Sequence, residues 1–253
     1  MARNGDDGTT SATVASGVGL DPAAIHYEVT GSGPPLVLIH GLSASGRWWS
    51  RNVGVFAAHF RVYTVDLVGF GASHRLGRFV LADAAAGLVA WMDRAGIARA
   101  DVVGHSLGGF VAADLAARFP ERVRRLVLVD AAVLPLGGVG HYAVGMLRQA
   151  RYISPGFLPT LARDVLRAGA ITTVQASLAI AYADLGPCLA RITAPTLAIW
   201  GEHDTVVPRA IGREIVRRVP GARLVVIPGV GHNVIWEAAE PFNRETLQFL
   251  LAD

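Results

Sequence analysis

No lysine occurs among the 253 residues, so all 23 basic side chains are arginines. Without an ε-amine there is no group for Schiff-base catalysis, and no lysine to hold phosphates as P-loop enzymes and kinases do. A single cysteine, Cys188, excludes an internal disulfide and a thiolate cage for a structural metal. Charge is scarce as well. Charged residues make up 17% of the chain, 23 arginines against 20 acids leave a formal +3, and only Arg124-Arg125 and Arg217-Arg218 are adjacent pairs. That scatter argues against a nucleic-acid partner. Mean hydropathy is +0.40, yet every apolar stretch is broken before the roughly 20 residues that a spanning helix needs. No membrane span is expected. The segment Met1 to Gly19 is rich in Gly, Ser, Thr and Asp and lacks the apolar run of a signal peptide. It reads as a flexible arm on a cytoplasmic protein.

What is present is apolar bulk: 52% of residues are hydrophobic, enough for one large core in a chain of this length. Runs rich in Val, Leu and Ile fall at Pro35 to Ile39, Arg61 to Asp66, Ala100 to Gly104, Arg125 to Asp130, Pro195 to Gly201 and Arg223 to Pro228. They are continuous rather than alternating, the pattern of strands buried on both faces of a parallel sheet. Helical spacing fills Trp48 to Ala58, Leu81 to Ala95, Ser106 to Phe119, Arg209 to Val219 and Ala238 to Leu251. Strand and helix alternate, which predicts an α/β fold with a doubly wound, mostly parallel sheet and helices on both faces. The rhythm breaks over Ala131 to Thr193, too long for one crossover and marked by Gly137-Gly138, Ser154-Pro155-Gly156 and Gly186-Pro187. Several short helices joined by turns are expected there. The expected organisation is an arm at 1–19, core at 20–132, a helical lid at 133–190, and core again at 191–253.

One junction carries chemistry. In Val102-Val103-Gly104-His105-Ser106-Leu107-Gly108-Gly109 an apolar strand runs into a helix through a turn centred on serine. Glycines two before and two after let helix and strand pack closely, and the strained turn pushes the Ser106 hydroxyl out at the top of the sheet. The Leu107 N–H, at the helix N-terminus, can donate to a developing oxyanion.

With four further motifs the chain resembles the α/β-hydrolase superfamily, in its lid-bearing branch of serine esterases and lipase-like enzymes. Members carry a His-Gly pair, an Asp-x-x-Gly-x-Gly-x-Ser loop, the serine elbow, an acid and a histidine, each after a successive strand. Here these correspond to His40-Gly41-Leu42, Asp66 to Ser73, Gly104 to Gly109, Gly201-Glu202-His203-Asp204, and Gly229-Val230-Gly231-His232. The match runs over about residues 25 to 252 apart from the lid. The resemblance implies Ser106 as nucleophile, His232 as base and Asp204 as the acid that orients it. The order Ser, Asp, His is the one this fold uses. It also implies an oxyanion hole made by the backbone N–H groups of Leu42 and Leu107. Asp130, at the end of another strand, competes for the acid role. Asp66 is expected to organise its loop, and His40 and His105 to act as scaffold. No two histidines share an i, i+3 or i, i+4 spacing, so no metal site is expected; nor is a cofactor.

A serine at the elbow excludes relatives that use aspartate there, and leaves acyl transfer. The expected reaction is hydrolysis of a carboxylic ester of a small or medium hydrophobic substrate. Gly41, Trp48, Met146 and Trp236 are candidates for touching it, under a lid that offers Tyr142, Leu147, Leu166, Ile171 and Leu178. The alternative is carbon–carbon bond hydrolysis of a vinylogous diketone with the same triad, a branch that Trp236-Glu237 and Asn52 loosely resemble. Leu42-Ser43-Ala44-Ser45 departs from the glycine- and proline-rich loop of that branch. Perhydrolase or haloperoxidase side activity is a third possibility.

Overall fold

The computed structural model describes residues 24–252; the expected arm at 1–19 lies outside the described residues. The strands are β1 (Tyr27–Thr30), β2 (Pro35–Ile39), β3 (Arg61–Val65), β4 (Ala100–His105), β5 (Val123–Val129), β6 (Thr196–Gly201) and β7 (Arg223–Ile227). They form one sheet in the order β1-β3-β2-β4-β5-β6-β7. Only the β1–β3 pair is antiparallel. This is the α/β-hydrolase fold. The helices are α1 (Val53–Phe56), α2 (Leu81–Arg94), α3 (Leu107–Arg118), α4 (Val139–Gln149), α5 (Leu158–Tyr182), α6 (Arg209–Arg218), α7 (Val234–Glu237) and α8 (Ala239–Leu250).

The continuous apolar runs do what two-sided burial requires. In β2, Leu36 and Leu38 join a core layer with Phe56, Phe242 and Phe249, whereas Val37 and Ile39 face the layer that holds Leu88, Trp91 and Ile215. β5 and β6 divide the same way: Val127, Val129, Leu197 and Ile199 on one side, Leu126, Leu128, Ala198 and Trp200 on the other. Thus α1 and α8 cover one face, and α2, α3 and α6 the other.

Two elements differ from expectation. β1 is an edge strand, half buried along its length, so its sequence has no continuous apolar run to reveal it. The helix expected at Trp48 to Ala58 is a 3-10 turn at Gly46–Trp49 followed by the short α1. Its break coincides with Asn52, whose buried amide donates to Ile235 O at 3.0 Å and Asn243 Oδ1 at 2.8 Å. Between β5 and β6 several helices stand as expected: α4, a 3-10 turn at Ala150–Tyr152, and α5, which Gly169, with φ of 74° and ψ of 160°, divides at a kink into two helices.

The chain passes from β2 out to β3 and then back to the other side of β2 for β4. That reversal leaves a crevice beyond the carboxyl ends of β2 and β4, where open α/β sheets bind ligands.

At the β4–α3 junction a Cβ on Gly104 would overlap the Gly108 carbonyl oxygen, and one on Gly109 the Ala131 side chain. We therefore expect Gly104→Ala to cost about 2–3 kcal/mol, lowering Tm by roughly 4–12 °C in a thermal melt. An unchanged Tm would mean that the junction is looser than described.

Candidate active site

Ser106 is the residue between β4 and α3, with φ 54° and ψ −116°. Its N–H donates to Val129 O at 2.9 Å, and its carbonyl accepts from Phe110 N and Ala132 N at 3.2 Å, so the strained conformation is held from both sides. The non-glycine residues with positive φ among the described residues are Ser43, Ser106 and Asp130. Each follows the carboxyl end of a strand at this crevice, a clustering typical of functional sites.

His232, in the loop after β7, joins two partners. Ser106 Oγ lies 2.9 Å from its Nε2, and its Nδ1 lies 2.8 Å from Asp204 Oδ2. All three residues are buried. Asp204 follows β6, and its other oxygen accepts from Val206 N at 2.8 Å and Val207 N at 2.9 Å. The carboxylate is therefore aimed by its own loop. The structure thus brings together the serine, histidine and aspartate expected from the motifs.

The loops are tied to one another beneath the triad. His105 Nε2–H donates to the His232 carbonyl at 2.9 Å. Burial, and then the neighbouring His232, push the His105 imidazole down to about 3, which keeps it neutral for that bond. His40 Nδ1–H donates to Gly41 O at 2.7 Å, and its Nε2 accepts from Leu67 N at 3.1 Å. Burial lowers its basicity too. Asp66 accepts from Gly46 N at 2.7 Å and Ala72 N at 2.6 Å, and its Oδ2 lies 3.3 Å from His26 Nδ1. Burial would push the Asp66 carboxyl up, but the His26 hydrogen bond, with His40 and the backbone donors, holds it below the ordinary carboxylate range. These three residues are scaffold in the structure, as expected.

Asp130 occupies the end of β5, fully buried, with Oδ1 accepting from Gly201 N at 2.9 Å. It is not the carboxylate on His232 Nδ1; Asp204 is. Burial, and then the Asp204 charge, push its carboxyl well above the ordinary range. Atoms of His105, Asp130 and His232 lie within 4.8 Å of one another, close enough to hold a cation. Both His232 nitrogens and His105 Nε2 already have the partners given above, so a cation there would compete with the triad.

The expected oxyanion and substrate residues are placed unevenly. Leu107 opens α3, and the first N–H groups of a helix have no intrahelical partner. Gly41 lies directly against Ser106: a Cβ there would come within 3.3 Å of the serine Cβ and 3.0 Å of His105 Nδ1. Leu42 continues that loop, half buried. Trp48 and Trp236 are both buried around Phe157, with ring centroids 4.8 and 4.9 Å from it. The Trp48 ring is also 6.0 Å from that of His105. Met146 departs from expectation, being exposed on α4. The buried positions of α4 are Tyr142, Gly145 and Gln149, and Met146, one turn from Tyr142 and Gln149, lies at the solvent edge of that face. Leu147, Leu166, Ile171 and Leu178, apolar residues of the expected lid, are exposed as well.

Sequence reasoning missed the residues that seat the α4–α5 insert on the strand ends. Gln149 packs against Gly231, and Thr205 Oγ1 donates to Gly145 O at 2.9 Å. Asp164, buried on α5, accepts from Ser45 Oγ at 2.7 Å and Trp48 Nε1 at 3.1 Å. Thr173 Oγ1 lies 2.8 Å from Ser43 Oγ. The one available signal was Asp164, the sole acid between Val139 and Tyr182.

Comparison with known proteins adds the following. A profile of the alpha/beta hydrolase family matches residues 36–245. The chain is 32% identical, over an alignment 269 positions long with its gaps, to a 2-hydroxy-6-oxo-6-phenylhexa-2,4-dienoate hydrolase of Burkholderia cepacia, covering 92% of this chain and 93% of the relative. Among solved structures, a meta-cleavage product hydrolase of Pseudomonas fluorescens aligns with TM-score 0.73 and 26% identity, over 90% of this chain and 95% of that one. An enol-lactonase of Burkholderia xenovorans aligns with TM-score 0.77 and 27% identity, over 90% and 96%.

Two isosteric substitutions separate the acids. With an activated ester as substrate, Asp204→Asn is expected to lower kcat by about 10⁴ through loss of the correct histidine tautomer. Asp130→Asn should retain activity, because the amide still accepts from Gly201 N. Since the folded state raises the Asp130 pKa, it binds a proton that the unfolded chain releases, and stability falls as pH rises above 3.8. Relative to wild type, the Tm of Asp130→Asn should therefore climb as pH rises. A larger activity loss at Asp130 than at Asp204 would reverse the assignment.

Proposed function

The chain belongs to the alpha/beta hydrolase family, and from that premise we propose that it is a serine hydrolase cleaving a carbon–carbon bond of a vinylogous diketone. The observation that carries this reading is the unbroken Ser106–His232–Asp204 hydrogen-bond chain in a protein aligned over nearly its whole length with a dienoate hydrolase. The ester reading is thereby demoted to second place.

In the proposed mechanism His232 Nε2 takes the Ser106 proton as Oγ adds to the substrate ketone. Asp204 holds Nδ1–H and stabilises the imidazolium. The Leu107 and Leu42 N–H groups take up the oxyanion charge. The bond between the carbonyl carbon and the conjugated chain then breaks, His232 gives the proton to the departing carbon, and an acyl group is left on Ser106. A water deprotonated by His232 adds to that acyl carbonyl, and the proton returns to Oγ as the acid leaves. None of these steps calls for a cofactor or metal. The α4–α5 insert acts as the lid, seated by Asp164 and Gln149 on the loops around the serine.

One observation favours ester or lactone hydrolysis as the second reading. The loop that follows His40 is Leu42-Ser43-Ala44-Ser45, whereas a glycine- and proline-rich sequence marks the carbon–carbon branch. Both reactions begin with addition at a carbonyl, so the same triad serves either.

The test is a parallel assay of 2-hydroxy-6-oxo-6-phenylhexa-2,4-dienoate, an enol lactone and p-nitrophenyl butyrate. The dienone is expected to give the highest kcat/KM. A preference for butyrate or lactone would select the second reading. Ser106→Ala should lower kcat on the preferred substrate by about 10⁴ or more, and turnover surviving in that variant would remove the serine from the chemistry.

A further inference from the structure

Exposed apolar side chains are concentrated on the α4–α5 insert. Leu166 is 81% exposed, Leu147 78% and Ile171 67%. Along the second half of α5, Ile171, Val174, Leu178 and Tyr182 recur every three or four residues and are all exposed, so they form one stripe on a helix face. Leu178 and Tyr182 extend this stripe into an open groove of about 650 Å³ shared with Leu81 and Phe110.

The exposed charges of α4 and α5 are of one sign, and the exposed acid Asp184 follows the end of α5. Between Val139 and Tyr182 the only acid is Asp164, which is buried and committed to Ser45 and Trp48. Arg148 and Arg151 are exposed clear of the core, whereas Arg163 and Arg167, also exposed, line a cleft with Glu28 and Asp66. Among the described residues none of the four forms an ion pair.

We propose that the outer face of α4 and α5 docks on an anionic lipid surface, its leucine and isoleucine side chains entering the interface and its arginines meeting lipid phosphates. Helices with exposed apolar residues and only cationic charge bind in this way. The charge pattern disfavours a second copy of the chain, because a twofold contact would set this cationic face against itself. It is surface docking and not insertion: α5 is 25 residues long with a window of mean hydropathy 1.2, but Asp164, Ala168, Ala176 and Ile180 bury its other side in the fold.

The experiment is co-sedimentation of the full chain with phosphatidylcholine vesicles prepared with and without phosphatidylglycerol, at low and high salt. Expected is binding to the anionic vesicles alone, weakened by salt. The double variant Leu147→Glu/Leu166→Glu should lose about tenfold or more of that binding, with Tm and turnover of a soluble substrate unchanged. Absence of binding to anionic vesicles at low salt, or equal binding by the double variant, overturns the proposal. So does a dimer in light scattering that the double variant disperses, which would give this face to a second copy.

Discussion

A helix can lie this close to the central strand only because no side chain stands between them. Gly104, Gly108 and Gly109 sit where an added Cβ would overlap the Gly108 oxygen, the ends of β2 and the Ala131 side chain in turn. This close approach fixes the entry angle of α3, puts Leu107 at its first turn, and leaves Ser106 in a backbone conformation that a relaxed loop would avoid. Gly108 in particular meets Ile39 and His40. The nucleophile turn and the loop carrying Gly41 and Leu42 are therefore held together by direct backbone contact.

From that junction, hydrogen bonds carry rigidity outward. His105 reaches the carbonyl of His232, Asp130 holds the last residue of β6, and Asp204 is clamped by the two amides of its own loop. The first two ties join segments from different strands and the third fixes Asp204 within its own loop, so the reacting side chains rest on a connected set of supports. The insert completes the arrangement through buried polar contacts, Asp164 with Ser45 and Trp48 and Gln149 against Gly231.

Most of the core was legible from the chain because strands buried on both faces leave continuous apolar runs, and every parallel strand was marked that way. β1 was not, because an edge strand needs no such run. Ser106 was legible because the glycines around its turn are dictated by sterics, and Asp204 and His232 because their motifs and chain order resemble the α/β-hydrolase pattern. The motif favoured Asp204 over Asp130 as the acid, but both end strands, and it is the direction of their carboxyls that puts Asp204 on His232. The insert was the least legible region. Apolar residues at helical spacing specify that a helix has a greasy face but not which way it points, and Met146, Leu147 and Leu166 are exposed. Gln149 carried no signal at all, since a lone glutamine on a helix is ordinarily a solvated residue.

The three left-handed residues at the crevice bear on the size of the core. Ser43, Ser106 and Asp130 each hold a conformation that costs about 1–3 kcal/mol, and Asp130 also keeps a carboxyl away from water. A domain of this kind is held together by a net margin of only about 5–15 kcal/mol. A chain poor in charge, with apolar layers on both faces of its sheet, is thus provisioned beyond the needs of folding alone. Its hydrophobic surplus acts as ballast, keeping a tense set of loops upright.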